Sequence, residues 1–355
     1  MRELFESTVE RLFGDLVTPE LIWSTQKGEW PAALWNAVEE SGFSIASAPE
    51  QLGGTGSSWN DLYVVIRAAG RHALPLPLPE ALLANWLLGK AGIDAVSGPL
   101  TFAAESTLIF EDGKATGQLL DVPWGRHAEH VVAVSSGAVP MVMLLRARDG
   151  SQASLRLNIA GEPRDDLKFV DAQPVAAAPL PRALGKDVLL LGGAMLRSAQ
   201  IAGALQHVLE ATSRYASERS QFGRPIAGFQ AIQHQLAVLA EHAASAMIAS
   251  EAAFAESEAS LAALSVMSAK LCASEAAGSA ASTAHAVHGA IGITHEHSLH
   301  FSTQRLWSWR SEFGSLTFWA QRIGREVCAG GATRFWPSLT SGTLQQATTI
   351  TGDAR

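Results

Sequence analysis

Arg219, Ser220, Gln221, Phe222, Gly223, Arg224 and Pro225 form the stretch of this chain whose residue types most readily do chemistry. Apolar and small residues recur at helical spacing before it (Leu191, Met195, Leu205, Leu209, Tyr215) and after it (Phe229, Ile232, Leu236, Leu239, Phe254). Gly223 and Pro225 interrupt that periodicity, which predicts an exposed corner between two helices. The corner offers a guanidinium, an amide and an aromatic ring. A guanidinium forks onto phosphate oxygens at fixed geometry, so this turn suits a phosphorylated cofactor. Taken alone, it also reads as an ordinary helix–helix corner with a surface arginine.

Two other groups of residues invite chemistry. His285, His288, His295, His297 and His300 crowd into one short segment, but a metal reading needs a ligand pair completed by a carboxylate. Packed or hydrogen-bonded imidazoles are the simpler expectation, and no metal is expected. Trp307, Trp309 and Trp319 are expected to pack among helices rather than to stack on a cofactor.

The elements that position these residues fall into three regions. Residues 1–95 read as helices joined by short loops: Pro31 opens one, Ser41-Gly42 closes it, and Ser58 with Asp61 has capping-box spacing. Pro75, Pro77 and Pro79 force an extended stretch, with a helix expected from Glu80. Residues 96–181 change to short β-type runs, including a hairpin signal at Asp112-Gly113 and strands at 131–134, 139–145, 155–157 and 169–170. Residues 182–335 return to long helical patterns at 188–218, 227–257 and 261–287, with Asp187 as an N-cap and a shorter pair after Gly292. Residues 336–355 read as a loose tail.

Composition narrows the class. The chain has 355 residues, 47% hydrophobic and 17% charged, with a formal charge of −8. It is too long for one typical core, and two or three domains are expected. No basic run is present, so nucleic acid is not an expected partner. Cys272 and Cys328 are too few for a disulfide framework, which fits a reducing cytoplasm. Residues 1–6 are amphipathic and acidic rather than signal-like, the apolar run at 189–193 is too short to span a membrane, and no membrane partner is expected.

Three blocks carry a resemblance: Pro-Glu-Gln-Leu-Gly-Gly-Thr-Gly at 49–56, Arg-Ser-Gln-Phe-Gly-Arg-Pro within 215–234, and Val-His-Gly-Ala-Ile-Gly within 284–300. Together and in this order they resemble the acyl-CoA dehydrogenase family over most of the chain. The resemblance implies an α+β multidomain fold: an N-terminal helical domain, a small middle β-barrel and a C-terminal four-helix-type bundle. It implies an oxidoreductase that dehydrogenates an acyl-CoA substrate between its α and β carbons with FAD. An electron-transfer flavoprotein-type acceptor and a homo- or hetero-oligomer, dimer or tetramer, are implied with it. The cofactor-binding residues that it points to are Arg219, Gln221, Phe222, Ile226, Phe229, Gln230, Gly289 and Gly292, the first group reaching a neighbouring subunit's dinucleotide.

The chain departs from the family pattern at three places. The Ser/Thr-rich strands that hydrogen-bond the flavin ring are not reproduced; residues 100–105 and 123–127 stand there instead. In the second flavin segment Ala286 replaces a Gln and Ala290 a Gly. At the position of the base, a Glu before Gly, stands Phe313, and Glu312 lies one residue early. On a helical segment one residue turns a side chain by about 100°. The pattern resembles the shorter subunits of heterotetrameric acyl-CoA dehydrogenases acting on bulky esters such as steroid side-chain thioesters. Two alternatives remain open: a self-sufficient homo-oligomeric enzyme with Glu312 as the catalytic base, and a non-catalytic scaffold.

Overall fold

The computed structural model describes residues 1–341. Five helices come first: α1 (Arg2–Leu16), α2 (Pro19–Gln26), α3 (Ala32–Glu40), α4 (Trp59–Arg71) and α5 (Leu78–Lys90). The local signals act as expected. Ser58 Oγ accepts from the Asp61 N–H at 3.1 Å, and Gly42 leaves α3 with φ +73°. Helix α5 begins at Leu78, earlier than the proline run suggests, and turns Glu80 into the interior at 1% exposure.

Strands follow: β1 (Leu100–Phe102), β2 (Glu105–Ser106), β3 (Ile109–Glu111), β4 (Lys114–Pro123), β5 (His130–Val134), β6 (Met141–Arg146), β7 (Ser151–Ser154), β8 (Arg164–Ala172) and β9 (Ala176–Pro179). Asp112 and Gly113, both at positive φ, close the β3–β4 hairpin. The barrel expectation needs correction. The strands form two open sheets, one ordered β1-β5-β6-β9 and one ordered β2-β4-β8-β7 with β3 beside β4. Alternation along the apolar runs explains why. Val131, Ala133, Met143 and Leu145 pack against Leu119, Leu167 and Phe169 of the second sheet. Val132, Val134, Val142 and Leu144 face the opposite way, into the core shared with the helices. The first sheet is therefore buried on both faces, and a closed barrel would have withdrawn one of them from the helices. Residues 155–157, read as a strand, supply only an isolated bridge from Leu157 to Pro163.

Helix α6 (Val188–Glu218) is the axis of the remainder, followed by the short β10 (Ser220–Gln221) and β11 (Arg224–Pro225), then α7 (Gln230–Ala255), α8 (Ala263–His288), α9 (Leu299–Trp309), α10 (Leu316–Gly330) and α11 (Ala332–Ser341). By length and apolarity α6 could cross a membrane, but 94% of its apolar window is buried inside the protein. It crosses α4 at backbone contact: a Cβ on Gly203 would lie 1.9 Å from the Arg67 carbonyl oxygen. Asp187 holds the N-cap position without capping; its carboxylate pairs with Arg322 of α10 at 2.6 Å. Ala243, Ala246, Ala273 and Ala277 pack within the bundle, whereas Ala244 and Ile248 face outward. Residues 336–341, expected in a tail, belong to α11, and 342–355 lie outside the described residues.

Candidate functional site

The corner between α6 and α7 is a two-residue hairpin. Ser220 pairs with Pro225 and Gln221 with Arg224, so Phe222 and Gly223 form the loop. Both have positive φ, +52° and +81°, the geometry that matches strand twist in a tight hairpin. Such a conformation is uncommon for a phenylalanine, yet Phe222 is 93% exposed. The Arg219 N–H bonds to the Tyr215 carbonyl at 2.9 Å, and the Ile226 N–H to the Arg219 carbonyl at 2.8 Å, which fixes the base of the hairpin. Phe229 organises its far side: the Arg224 guanidinium lies 4.2 Å from its ring centre and Phe222 meets it edge-on at 6.1 Å. Among the described residues the side chains of Arg219 and Gln221 have no hydrogen-bond or ionic partner, and both are exposed, as is Gln230; Ile226 and Phe229 are half-buried.

Tyr215 joins this hairpin to the Gly289–Ile293 turn. Its hydroxyl donates to the His288 carbonyl at 3.2 Å, and its ring stacks on the His288 imidazole at 4.4 Å, with His297 edge-on at 4.9 Å from His288. Gly289 is exposed with φ +64° and open space around it. Gly292 is buried differently: a Cβ there would lie 2.9 Å from His288 Cβ, so its missing side chain serves the chain's own packing. The remaining histidines are spread over separate contacts. His285 meets Thr303 at 2.9 Å and His295 stacks on Trp23 at 3.9 Å. Among the described residues no His/Cys/Asp/Glu group has metal-holding geometry.

A cavity of 460 Å³ opens between the strands and the α9–α10 turn, walled by Leu120, Leu157, Ile159, Leu190, Trp307 and Phe313. None of its lining residues comes from the hairpin or the Gly289 turn. Phe313 closes one end, its ring pressed so closely on Gly193 that a Cβ there would lie 2.5 Å away, and stacked on Phe102 at 5.3 Å. Glu312 lies in the same wall but is fully engaged. Arg164 donates to both its oxygens, at 3.0 and 2.9 Å, Arg197 donates at 2.8 Å and Asn158 at 2.9 Å. Arg197 continues to Glu80 at 2.7 Å, and Glu162 gathers Arg164 at 2.9 Å, Arg305 at 3.2 Å and the Trp309 indole at 3.0 Å. Burial alone would raise the Glu312 carboxyl, but the two guanidiniums overcome it and hold it far below the ordinary carboxylate range. Trp309 and Trp319 are buried as expected, while Trp307 is 45% exposed at the cavity mouth. Sequence reading missed the partners of Glu312. The available signal was Arg197, a lone cation inside an apolar helical run.

Models of the acyl-CoA dehydrogenase N-terminal and C-terminal domains match residues 2–96 and 189–310. Acyl-CoA dehydrogenase IpdE2 of Mycolicibacterium smegmatis is 30% identical over 86% of this chain and 91% of its own length. This chain belongs to the acyl-CoA dehydrogenase family. Acyl-CoA dehydrogenase FadE27 of Mycobacterium tuberculosis is 28% identical over 90% of the chain and 95% of its own length. The ChsE4-ChsE5 complex of Mycobacterium tuberculosis superposes with a TM-score of 0.81 at 25% identity, covering 93% of this chain and 98% of that one. A Tcur3481-Tcur3483 steroid ACAD variant also gives 0.81, at 23% identity and with 91% and 96% coverage, and shares the fold.

FAD is the cofactor of this family, and the two halves of the site fit it differently. The hairpin fits: Arg219 and Gln221 are exposed, unpartnered donors at a two-residue hairpin, suited to phosphate and ribose oxygens. Residues 100–105 and 123–127 present no free hydroxyl to a flavin ring. The only hydroxyl in residues 100–105 is that of Thr101, which is fully buried and donates to the Pro123 carbonyl at 2.7 Å. In 123–127 the Trp124 N–H is likewise spent on the Pro163 carbonyl at 3.0 Å.

Proposed function

We propose that this chain is one subunit of a hetero-oligomeric, FAD-dependent acyl-CoA dehydrogenase. Its hairpin at Arg219–Phe222, with Ile226, Phe229, Gln230 and the Gly289 turn, completes the flavin site of a partner subunit that supplies the ring pocket and the base. The observation that supports this reading is a division between two groups of residues: Arg219 and Gln221 are exposed and unpartnered, while Phe313, which stands where the resemblance puts the base, packs on Gly193 and Glu312 is locked between two arginines. FAD, when bound, supplies the hydride-accepting chemistry, and the residues of this chain bind and orient it. The substrate is an acyl-CoA thioester with a bulky acyl group such as a steroid side chain, the ester class that the sequence resemblance implies. Electrons leave to an electron-transfer flavoprotein-type acceptor.

A visible absorption spectrum tests this. The chain purified alone is expected to be colourless, and co-expression with a longer homologue is expected to yield a yellow complex that oxidises an acyl-CoA ester. Stoichiometric flavin and acyl-CoA oxidation by the isolated chain would sink the reading. That second outcome would favour a self-sufficient enzyme, for which the presence of Glu312 in the cavity wall is the one supporting observation. A general base works best with a pKa near the operating pH, and the arginines hold Glu312 far from it.

A further inference from the structure

Lys270 lies in the first half of α8 with no exposed surface and no carboxylate within ion-pair distance among the described residues. Its Nζ donates to the Ser274 hydroxyl at 3.0 Å, the Arg310 carbonyl at 2.9 Å and the Gly314 carbonyl at 3.1 Å. Ser274 itself donates to the Arg310 carbonyl at 3.0 Å. The two carbonyls bracket Ser311, Glu312 and Phe313, so a single side chain on α8 closes the turn that presents both the ion-cluster carboxylate and the aromatic plug to the cavity. The turn is held in an unfavoured shape, with Phe313 at φ +52° and Gly314 at +93°.

We propose that Lys270 is the positioning residue of the Arg310–Gly314 turn, a clamp that is tight in its ammonium form and loosens when its proton passes to solvent. An ammonium has three N–H donors, one for each acceptor present. A neutral amine has two donors and a lone pair, so both carbonyls are kept only if Ser274 turns its hydroxyl to that lone pair and gives up its own bond to the Arg310 carbonyl. Burial pushes the Lys270 ammonium down to about 7, with Glu312 opposing the shift and Arg197 and Arg310 adding to it. Those three are the charged groups that face it, Arg197 from α6 and the others from the turn itself. The switch therefore works across neutral pH. It changes how firmly Phe313 is seated against Gly193 and how Glu312 meets Arg164 and Arg197. This inference concerns the turn alone, so its failure would leave the partner-subunit reading standing, and the reverse.

The chain has six lysines, and the five other than Lys270 are exposed. Protein labelled with carbon-13 at lysine Cε should give six lysine signals. One should titrate near neutrality and vanish in Lys270→Arg and in Lys270→Met. Hydrogen exchange at the bonded amides of Arg310 and Ser311, corrected for intrinsic base catalysis, should rise about tenfold between pH ~6 and ~8.5, as expected for loss of one hydrogen bond. The rise should be absent in Lys270→Arg, which keeps its charge. Absence of the shifted signal in the unsubstituted chain, or an equal rise in Lys270→Arg, would overturn the proposal. Should the substituted chains fail to fold, the titration of the unsubstituted chain still decides.

Discussion

The Glu312 carboxylate accepts from Arg164, Arg197 and Asn158, and its side chain is 16% exposed. A carboxylate so paired is a structural tie: removing its charge leaves two buried guanidiniums short of a partner. Glu312→Gln is expected to lower unfolding stability by about 3 kcal/mol, the range for breaking one side of a buried ion pair. Turnover of the assembled complex should survive, measured below the lowered melting temperature. Loss of turnover with unchanged stability would instead make Glu312 the base. Arg219 gives the opposite expectation. Exposed and unpartnered, it should tolerate Arg219→Ala within about 0.5 kcal/mol of stability. The same substitution should weaken FAD retention by the complex at least about tenfold, the value of one charge-assisted hydrogen bond. Equal flavin content in the two complexes would remove the hairpin from the site.

At the scale of elements, helix α6 decides the architecture. Its first half packs with the N-terminal helices, and Ile201, Leu205 and Val208 pack with α7, α8 and α9. The close crossing with α4 depends on Gly203, beside the Arg67 carbonyl, and Gly70, beside that of Gln200. Gly203→Ala removes no contact and adds one methyl, yet the helices must separate to admit it. A destabilisation of about 3 kcal/mol is expected from this overpacking, read from the urea midpoint. A change below about 0.5 kcal/mol would show that the crossing yields easily. The helix limits were legible beforehand, because Gly42, the Ser58–Asp61 cap and the interruption at Gly223 are signals within a few residues of what they control. The open sheets were not. Whether strands close into a barrel depends on what covers their second face, and α5, packed against β1, β5 and β6, supplies that cover from outside the β region.

For the whole molecule, pH dependence has a defined sign. Burial raises Glu162 and Glu312, but arginines prevail and both titrate below the carboxylate value of 4.5. The unfolded chain therefore takes up their protons first, so their stabilisation is present above pH 4.5 and is lost as pH falls. Lys270 acts at the other end. The unfolded chain keeps its proton up to 10.5 and the folded chain loses it near 7, so global stability rises with pH between those values. The turn loosens locally over the same window, because relief from burying a charge outweighs the lost hydrogen bond. Urea midpoints should climb from pH ~7 to ~9, and Lys270→Met should flatten that climb. An unchanged slope would contradict the burial of a titrating lysine.

The sequence by itself determined the family, the order of helical and β regions and the exposed corner at Arg219–Phe222, since each rests on residues adjacent in the chain. It also showed that no carboxylate stands at the Phe313 position. Only the tertiary structure decided what Glu312 is for. Arg164 and Arg197 lie 148 and 115 residues away along the chain, and a carboxylate's pKa is set by the charges that meet it in space rather than by its neighbours in sequence.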